Sequence, residues 1–147
     1  MRYHFSLKRF VIVTLVTSIW INVSEVVRYF VFVAPRTKAF FKGRPNIAQI
    51  DPFILGVWTF WDMLLSVLVV GSFWLFINVY GNTKRSILYS ASFIWALLFV
   101  LFWIATINMG LASWDMLWIV LPLSWVEMLV ANYFASILYQ KHLHPNI

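Results

Sequence analysis

FILGVWTFWDMLLSVLVVGSFWLFINVY, residues 53–80, is a run of apolar side chains with a single charged residue, Asp62. It exceeds the roughly 20 residues that an α-helix needs to cross a hydrocarbon core about 30 Å thick. Because a backbone in lipid must satisfy its own hydrogen bonds, the run is predicted to be a transmembrane helix. Similar runs occupy residues 10–33, 86–107 and 114–139. The sequence therefore predicts an all-α, integral membrane four-helix bundle, up-down-up-down, with residues 1–147 as a single transmembrane domain.

The composition of the chain agrees with lipid as its main solvent. Hydrophobic residues make up 63% and charged residues 11% of the 147 positions, where soluble domains have about 45–50% and about 25%. The absence of cysteine excludes disulfides, Cys-ligated zinc and iron–sulfur clusters. No stretch between the spans is long enough to fold into a nucleic-acid reader, so the bilayer is the predicted partner. No motif indicates a cofactor.

The ends of the apolar runs carry recognisable helix signals. Asp51 followed by Pro52 predicts an N-terminal cap and a first helical turn. Gly81 predicts a C-terminal cap because glycine adopts left-handed backbone geometry. Gly110 and Ser113 are predicted to end the third helix and to cap the fourth.

Basic residues decide the predicted orientation. With four spans, the two termini share one side of the membrane with the 81–85 loop, and this side carries six lysines and arginines against four in the 34–51 loop. The excess predicts that both termini are cytoplasmic, in a plasma membrane or a bacterial inner membrane. Glu25 and Arg28 are unusual in a signal sequence, so the first run is predicted to be an uncleaved span. The basic 34–51 segment is either a loop or an amphipathic surface segment.

Three charged residues are predicted to lie at a similar depth in the leaflet next to the 34–51 loop. Glu25 and Arg28 share a face of the first helix, and Asp62 lies at most about 15 Å in from the start of the second. One interpretation is a salt-bridged link between these helices. The other is a site for an ion, a proton or an anionic substrate, since charges within a membrane are costly.

Glu127 lies somewhat past the middle of the fourth span, about 20 Å from Trp114. No basic residue lies obviously at the same depth in the membrane as Glu127, so we expect its carboxyl to be protonated. The small residues Ser124, Ala131 and Ala135 share its face and predict that it points to the bundle interior or an oligomer interface. Thr14, Ser18 and Asn22 are spaced one turn apart and predict a polar face on the first helix. The candidate polar lining is Ser18, Asn22 and Ser124, and the first two are the expected partners of Glu127.

Other features carry weaker signals. His142 and His144 near the C-terminus lack a third ligand, so no metal site is predicted. The tryptophans and phenylalanines are interpreted mainly as lipid-facing or interfacial, with a lipophilic pocket as the alternative. The tetrapeptide Trp-Asp-Met-Leu occurs at residues 61–64 and 114–117. It reflects either a duplicated hairpin or chance in a chain rich in tryptophan and leucine.

In its number of spans and its first-helix glutamate, the chain resembles the small multidrug transporters. Those transporters are shorter, have shorter loops and lack an arginine one turn after the glutamate, so no residue role is transferred from them. The sequence predicts a small carrier or a helix-packing accessory subunit, working as a homo-oligomer or in a larger membrane complex. The alternative is a membrane-embedded enzyme that acts on a lipid or quinone near the interface.

Overall fold

The computed structural model describes residues 4–42 and 51–141 of the chain. Within these ranges the protein is all-α, with four helices that are long and apolar enough to cross a membrane, and no strand. The prediction of four apolar helices is thereby confirmed. The helices are α1 (Leu7–Phe40), α2 (Pro52–Tyr80), α3 (Lys84–Asn108) and α4 (Leu117–Lys141), the last preceded by a single 3-10 turn, Trp114–Met116.

Helix α1 is longer than the predicted 10–33 because the chain stays helical through Pro35. A π-helical turn at Tyr29–Val33 precedes this proline, which occupies the first turn of the following segment, Ala34–Phe40. Proline is tolerated there because the first turn of a helix needs no N–H donor. The first part of the basic 34–51 segment is thus helix, and residues 43–50 lie outside the described ranges. With 34 residues, α1 is about 51 Å long and exceeds a hydrocarbon core of about 30 Å.

The other helix ends follow from local chemistry. The Asp51 carboxylate accepts a 2.8 Å hydrogen bond from the Ile54 amide, as expected for a cap. Gly81 has φ of 70° and Gly110 has φ of 69°, the left-handed geometry that favours glycine. Ser113 occupies the N-cap position before the 3-10 turn, but its side chain makes no capping bond. Thr83, which the sequence did not single out, caps α3 by accepting from the Ser86 amide.

The core consists of two apolar clusters stacked along the bundle. The first apolar cluster takes residues from all four helices: Ile21, Leu65, Val69, Ala91, Ile94, Phe99, Met128 and Ala131. The second apolar cluster takes residues from α1, α2 and α4: Val13, Val70, Phe73, Ile77, Ala135 and Tyr139. Burial of these side chains holds α1 and α4 side by side over most of their shared length.

Three tryptophans hold helices together, a role that their interpretation as lipid-facing residues missed. The indole of Trp20 on α1 donates to the backbone carbonyl of Glu127 at 3.1 Å, and that of Trp95 on α3 donates to the carbonyl of Leu121 at 2.8 Å. The indole of Trp125 on α4 donates to the Ser92 hydroxyl at 3.1 Å. Buried indoles need such acceptors, and here they fix α4 against its neighbours.

The outward faces of the helices are apolar, and Trp118 at 84% exposed and Val79 at 73% are extreme examples. A lipid-facing surface has this composition. The two copies of the repeated tetrapeptide lie in unlike surroundings. Asp62 is buried and lies well inside the length of α2, whereas Asp115 is exposed and lies in the 3-10 turn before α4.

Candidate functional site

Arg28 lies at the centre of the bundle and contacts three helices. It forms an ion pair with Glu25, three residues earlier on α1, and its Nη1 atom lies 3.3 Å from Oε2 of Glu127 on α4. Its guanidinium carbon is 4.9 Å from the centroid of the Phe99 ring on α3, a cation–π distance. The side chain is only 8% exposed, so these contacts replace almost all of its hydration.

Glu127 lies in the bundle interior, as its small neighbours Ser124, Ala131 and Ala135 indicated, and it is 1% exposed. The expectation that it has no basic neighbour is wrong, because Arg28 reaches it from α1. The contact brings opposite charges together without hydrogen-bond geometry. The Ser24 side chain on α1 also interacts with the Glu127 carboxyl, but no described residue makes a hydrogen bond of good geometry to either carboxylate oxygen or to Nη1 of Arg28. The site therefore retains unused polar atoms.

Asp62 completes the group from α2. It is 6% exposed and interacts electrostatically with Glu25, Arg28 and Glu127. We refer to Glu25, Arg28, Asp62 and Glu127 as the Arg28 cluster. The sequence predicted that the first three share a depth, and the structure brings them together with the fourth. The cluster combines three acidic groups with one cation.

Two π-helical turns converge on Arg28. One, Tyr29–Val33, begins directly after Arg28, and the other, Trp95–Val100, carries the Phe99 ring that faces the guanidinium. Single π turns within α-helices are uncommon and frequently occur at functional sites. Nothing in the sequence pattern marked either turn.

The three candidate lining residues mainly hydrogen-bond within their own helices. Ser18 donates to the Leu15 carbonyl at 2.8 Å, and the amide of Asn22 donates to the Ser18 carbonyl at 2.8 Å. Ser124 is buried and donates to the Leu121 carbonyl at 3.1 Å. Ser18 and Asn22 are half-buried, and the prediction that they are the closest partners of Glu127 is wrong because Arg28 occupies that place.

Three further interior polar residues on these helices are Thr14 and Thr17 on α1 and Asn132 on α4, which are 5%, 0% and 0% exposed. Thr14 belongs to the polar face that was predicted for α1, whereas Thr17 and Asn132 were not predicted. Thr17 lies four residues before Ile21 and Asn132 four residues after Met128, both of which pack in the first apolar cluster. This helical spacing places them on the buried faces of α1 and α4 and could have been used to predict their burial.

The described residues contain no group of three or more His, Cys, Asp or Glu side chains arranged to hold a metal ion. His142 and His144 lie outside the described ranges. Two apolar grooves lie on the helix surface, one along the start of α2 and one between α1 and α4, and no member of the Arg28 cluster lines either.

The chemistry open to the Arg28 cluster is the exchange of protons between acidic groups that compete for one guanidinium. Buried carboxylates with a single counter-charge favour states in which one or more of them is neutral. The chain matches no protein-family model, no curated protein and no solved structure, so no activity is transferred to it from a relative.

Proposed function

We propose that this chain is a multi-pass membrane protein in which the Arg28 cluster takes up and releases a proton, as the coupling site of a small proton-linked carrier. The observation that supports this proposal is the charge imbalance of the buried cluster. Three carboxyl groups share one guanidinium, and two of the carboxyl side chains are 6% and 1% exposed. If all were ionised, the bundle interior would hold two uncompensated negative charges, each of which is costly in a membrane.

The arrangement also gives protonation a structural consequence. Glu25 shares a helix with Arg28, whereas Glu127 belongs to α4. A proton on Glu127 leaves Arg28 paired within α1. Loss of that proton creates a charge that attracts Arg28 across the interface between α1 and α4. Proton uptake and release therefore change the attraction between two helices, which is what coupling to a conformational change requires.

A carrier of this size is proposed to work as an oligomer. Two apolar clusters occupy much of the described core, so a path for a larger substrate fits better between copies of the chain than within one. The exposed apolar faces supply the surface for such contacts, and small membrane proteins commonly assemble symmetrically.

A helix-packing accessory subunit is the second candidate. The observation that favours it is the set of interhelical bonds from Trp20, Trp95 and Trp125, which fix α4 firmly against its neighbours. In this case the Arg28 cluster is a structural link, and its disruption impairs assembly with a larger complex. The enzymatic alternative fits less well, because the buried guanidinium of Arg28 is already paired with Glu25 and Glu127 and is not open to a headgroup.

Infrared difference spectroscopy of the purified protein in lipid tests the proposal. We expect a protonated-carboxyl band in the wild type that changes with pH and is lost in Glu127→Gln. Asp115→Asn serves as the matched control, because Asp115 is an exposed acid in the 3-10 turn before α4 and lies outside the cluster. The proposal is overturned if the wild type shows no protonated carboxyl between about pH 5 and about pH 9, the range into which burial moves such groups. A wild-type band that persists in Glu127→Gln would assign the proton to another acid.

A further inference from the structure

Three interior side chains on α1 and α4 have polar atoms that no described residue satisfies. These atoms are Oγ1 of Thr14, Oγ1 of Thr17 and Oδ1 of Asn132. Buried polar groups nearly always find a partner, either in the protein or in an ordered water. An interior group without a protein partner therefore indicates bound water where space and further polar atoms allow it.

Other threonines in the same chain behave differently. Thr59 donates to the Leu55 carbonyl at 3.0 Å and Thr106 donates to the Phe102 carbonyl at 2.7 Å, both within their own helices. A threonine in a lipid-facing helix commonly satisfies its hydroxyl in this way. Thr14 and Thr17 had the same option but do not use it. Their hydroxyls remain open toward the bundle interior, where both residues are buried.

The three residues form a polar layer between the two apolar clusters. On α1, Thr14 and Thr17 lie between Val13 of the second apolar cluster and Ile21 of the first. On α4, Asn132 lies between Ala131 of the first cluster and Ala135 of the second. The side-chain amide of Asn132 donates to the Met128 carbonyl at 2.8 Å, which leaves Oδ1 to accept from another donor. We call Thr14, Thr17 and Asn132 the polar layer.

Polar atoms continue on both sides of this layer. Toward one end, Glu127 lies five residues before Asn132 on α4, an axial gap of about 7.5 Å. Toward the other end, the Tyr139 hydroxyl and the Trp74 indole are also buried without a partner among the described residues. Tyr139 lies close to the end of α4 at Lys141. On α4, unsatisfied polar atoms thus recur from Glu127 through Asn132 to Tyr139 near the end of the helix.

We propose that the polar layer holds ordered water, and that this water carries protons between Glu127 and the membrane side where α4 ends. The inference rests on the proposed function, because it assumes that Glu127 exchanges a proton. In each transfer the O–H bond of the Glu127 carboxyl breaks and a new O–H bond forms on a neighbouring water. That water passes one of its own protons to the next. The carboxylate left behind faces Arg28, and no electrons are gained or lost.

Hydrogen–deuterium exchange at the Glu127 carboxyl tests the path, with heavy water as the probe. After transfer of the protein in lipid to heavy water, the shift of the carboxyl infrared band reports how fast deuterons reach the group. We expect Thr17→Val combined with Asn132→Leu to slow this exchange about tenfold or more, equal to ~1.4 kcal/mol of added barrier. Thr59→Val combined with Thr106→Val is the matched control, because it removes two hydroxyls outside the polar layer, and it should exchange at the wild-type rate.

The outcomes separate this inference from the proposed function. Unchanged exchange in the polar-layer variant, with the Glu127 band intact, overturns the water path and leaves proton uptake by the cluster standing. Absence of the band in the wild type overturns both. If the double variant does not fold, Thr17→Val and Thr17→Ser provide the comparison. The serine keeps the hydroxyl and should exchange as the wild type does, and equal rates in the two variants would contradict the path.

Discussion

The indole of Trp20 on α1 donates a 3.1 Å hydrogen bond to the backbone carbonyl of Glu127 on α4, the residue whose side chain meets Arg28. The two contacts join the same pair of helices through one residue. The first positions the backbone of Glu127, and the second involves its carboxyl. The position of the carboxyl therefore depends on a tryptophan that belongs to neither charged pair, and this dependence can be measured.

Replacement of Trp20 by phenylalanine removes the indole donor and leaves an aromatic ring beside Phe134, which Trp20 contacts edge to face. We expect a loss of about 1 kcal/mol in the free energy of unfolding, the usual net value of one hydrogen bond. Unfolding of the purified protein in mild detergent measures it. Trp118→Phe is the control, because Trp118 is 84% exposed and its replacement should leave stability unchanged. Equal losses in the two variants would contradict a specific role for the indole.

Replacement of Arg28 by leucine leaves its ion-pair partner Glu25 without a counter-charge. Breaking a buried pair in this way typically lowers the free energy of unfolding by about 3–5 kcal/mol. Addition of Glu25→Gln to this variant should restore part of the loss, because the orphaned charge is then removed as well. Addition of Asp115→Asn should restore nothing, since this acid lies outside the cluster. A double variant as unstable as the sum of its single changes would show that Glu25 and Arg28 do not act as a pair.

Two residues at N-cap positions are expected to differ in their contribution to stability. Asp51→Ala removes the acceptor that bonds the Ile54 amide and should lower the free energy of unfolding by about 1 kcal/mol. Ser113→Ala removes a side chain that makes no capping bond, so its effect should be much smaller. The same unfolding measurement compares the two, and a larger loss for Ser113→Ala would refute this account of the helix starts.

The transmembrane arrangement stays a prediction that reporter fusions can test. Fusions after Asn82 and at the C-terminus should report the cytoplasmic side, and a fusion at Asn46 should report the opposite side, as the distribution of lysine and arginine predicts. If the Asn46 fusion reports the same side as the C-terminus, the chain does not cross the membrane four times.

The four helices could be predicted from the sequence because an apolar run of twenty or more residues is a strong signal. The helical state of such a run does not depend on its contacts with neighbouring helices. The extent of α1 could not, because Pro35 has the appearance of a helix end. It is tolerated because it lies in the first turn of Ala34–Phe40, directly after the π turn Tyr29–Val33. A π turn has no signature in a single sequence.

The contact between Arg28 and Glu127 was missed because depth was counted from backbone positions alone. A side chain on a helix leans toward the N-terminus, so the long Arg28 side chain reaches back along α1, toward Glu127. The buried face of α1 was misplaced for a related reason. Residues 14, 18 and 22 turn about 80° around the helix over two steps of four, whereas 14, 17 and 21 stay on one side. The alternation of steps of three and four was the better guide.

The pairing of Glu25 with Arg28 on one helix has a consequence for how the protein is made. Roughly 100 residues separate Arg28 from Glu127, so a ribosome needs on the order of ten seconds to extend the chain from one to the other. During that interval α1 is complete while the partner of Arg28 on the last helix does not yet exist. Glu25 is synthesised three residues before Arg28 and is present from the start. The nascent first helix therefore carries Glu25 as a counter-ion for Arg28 from the start. Glu127 becomes the second counter-ion of Arg28 when α4 has been synthesised.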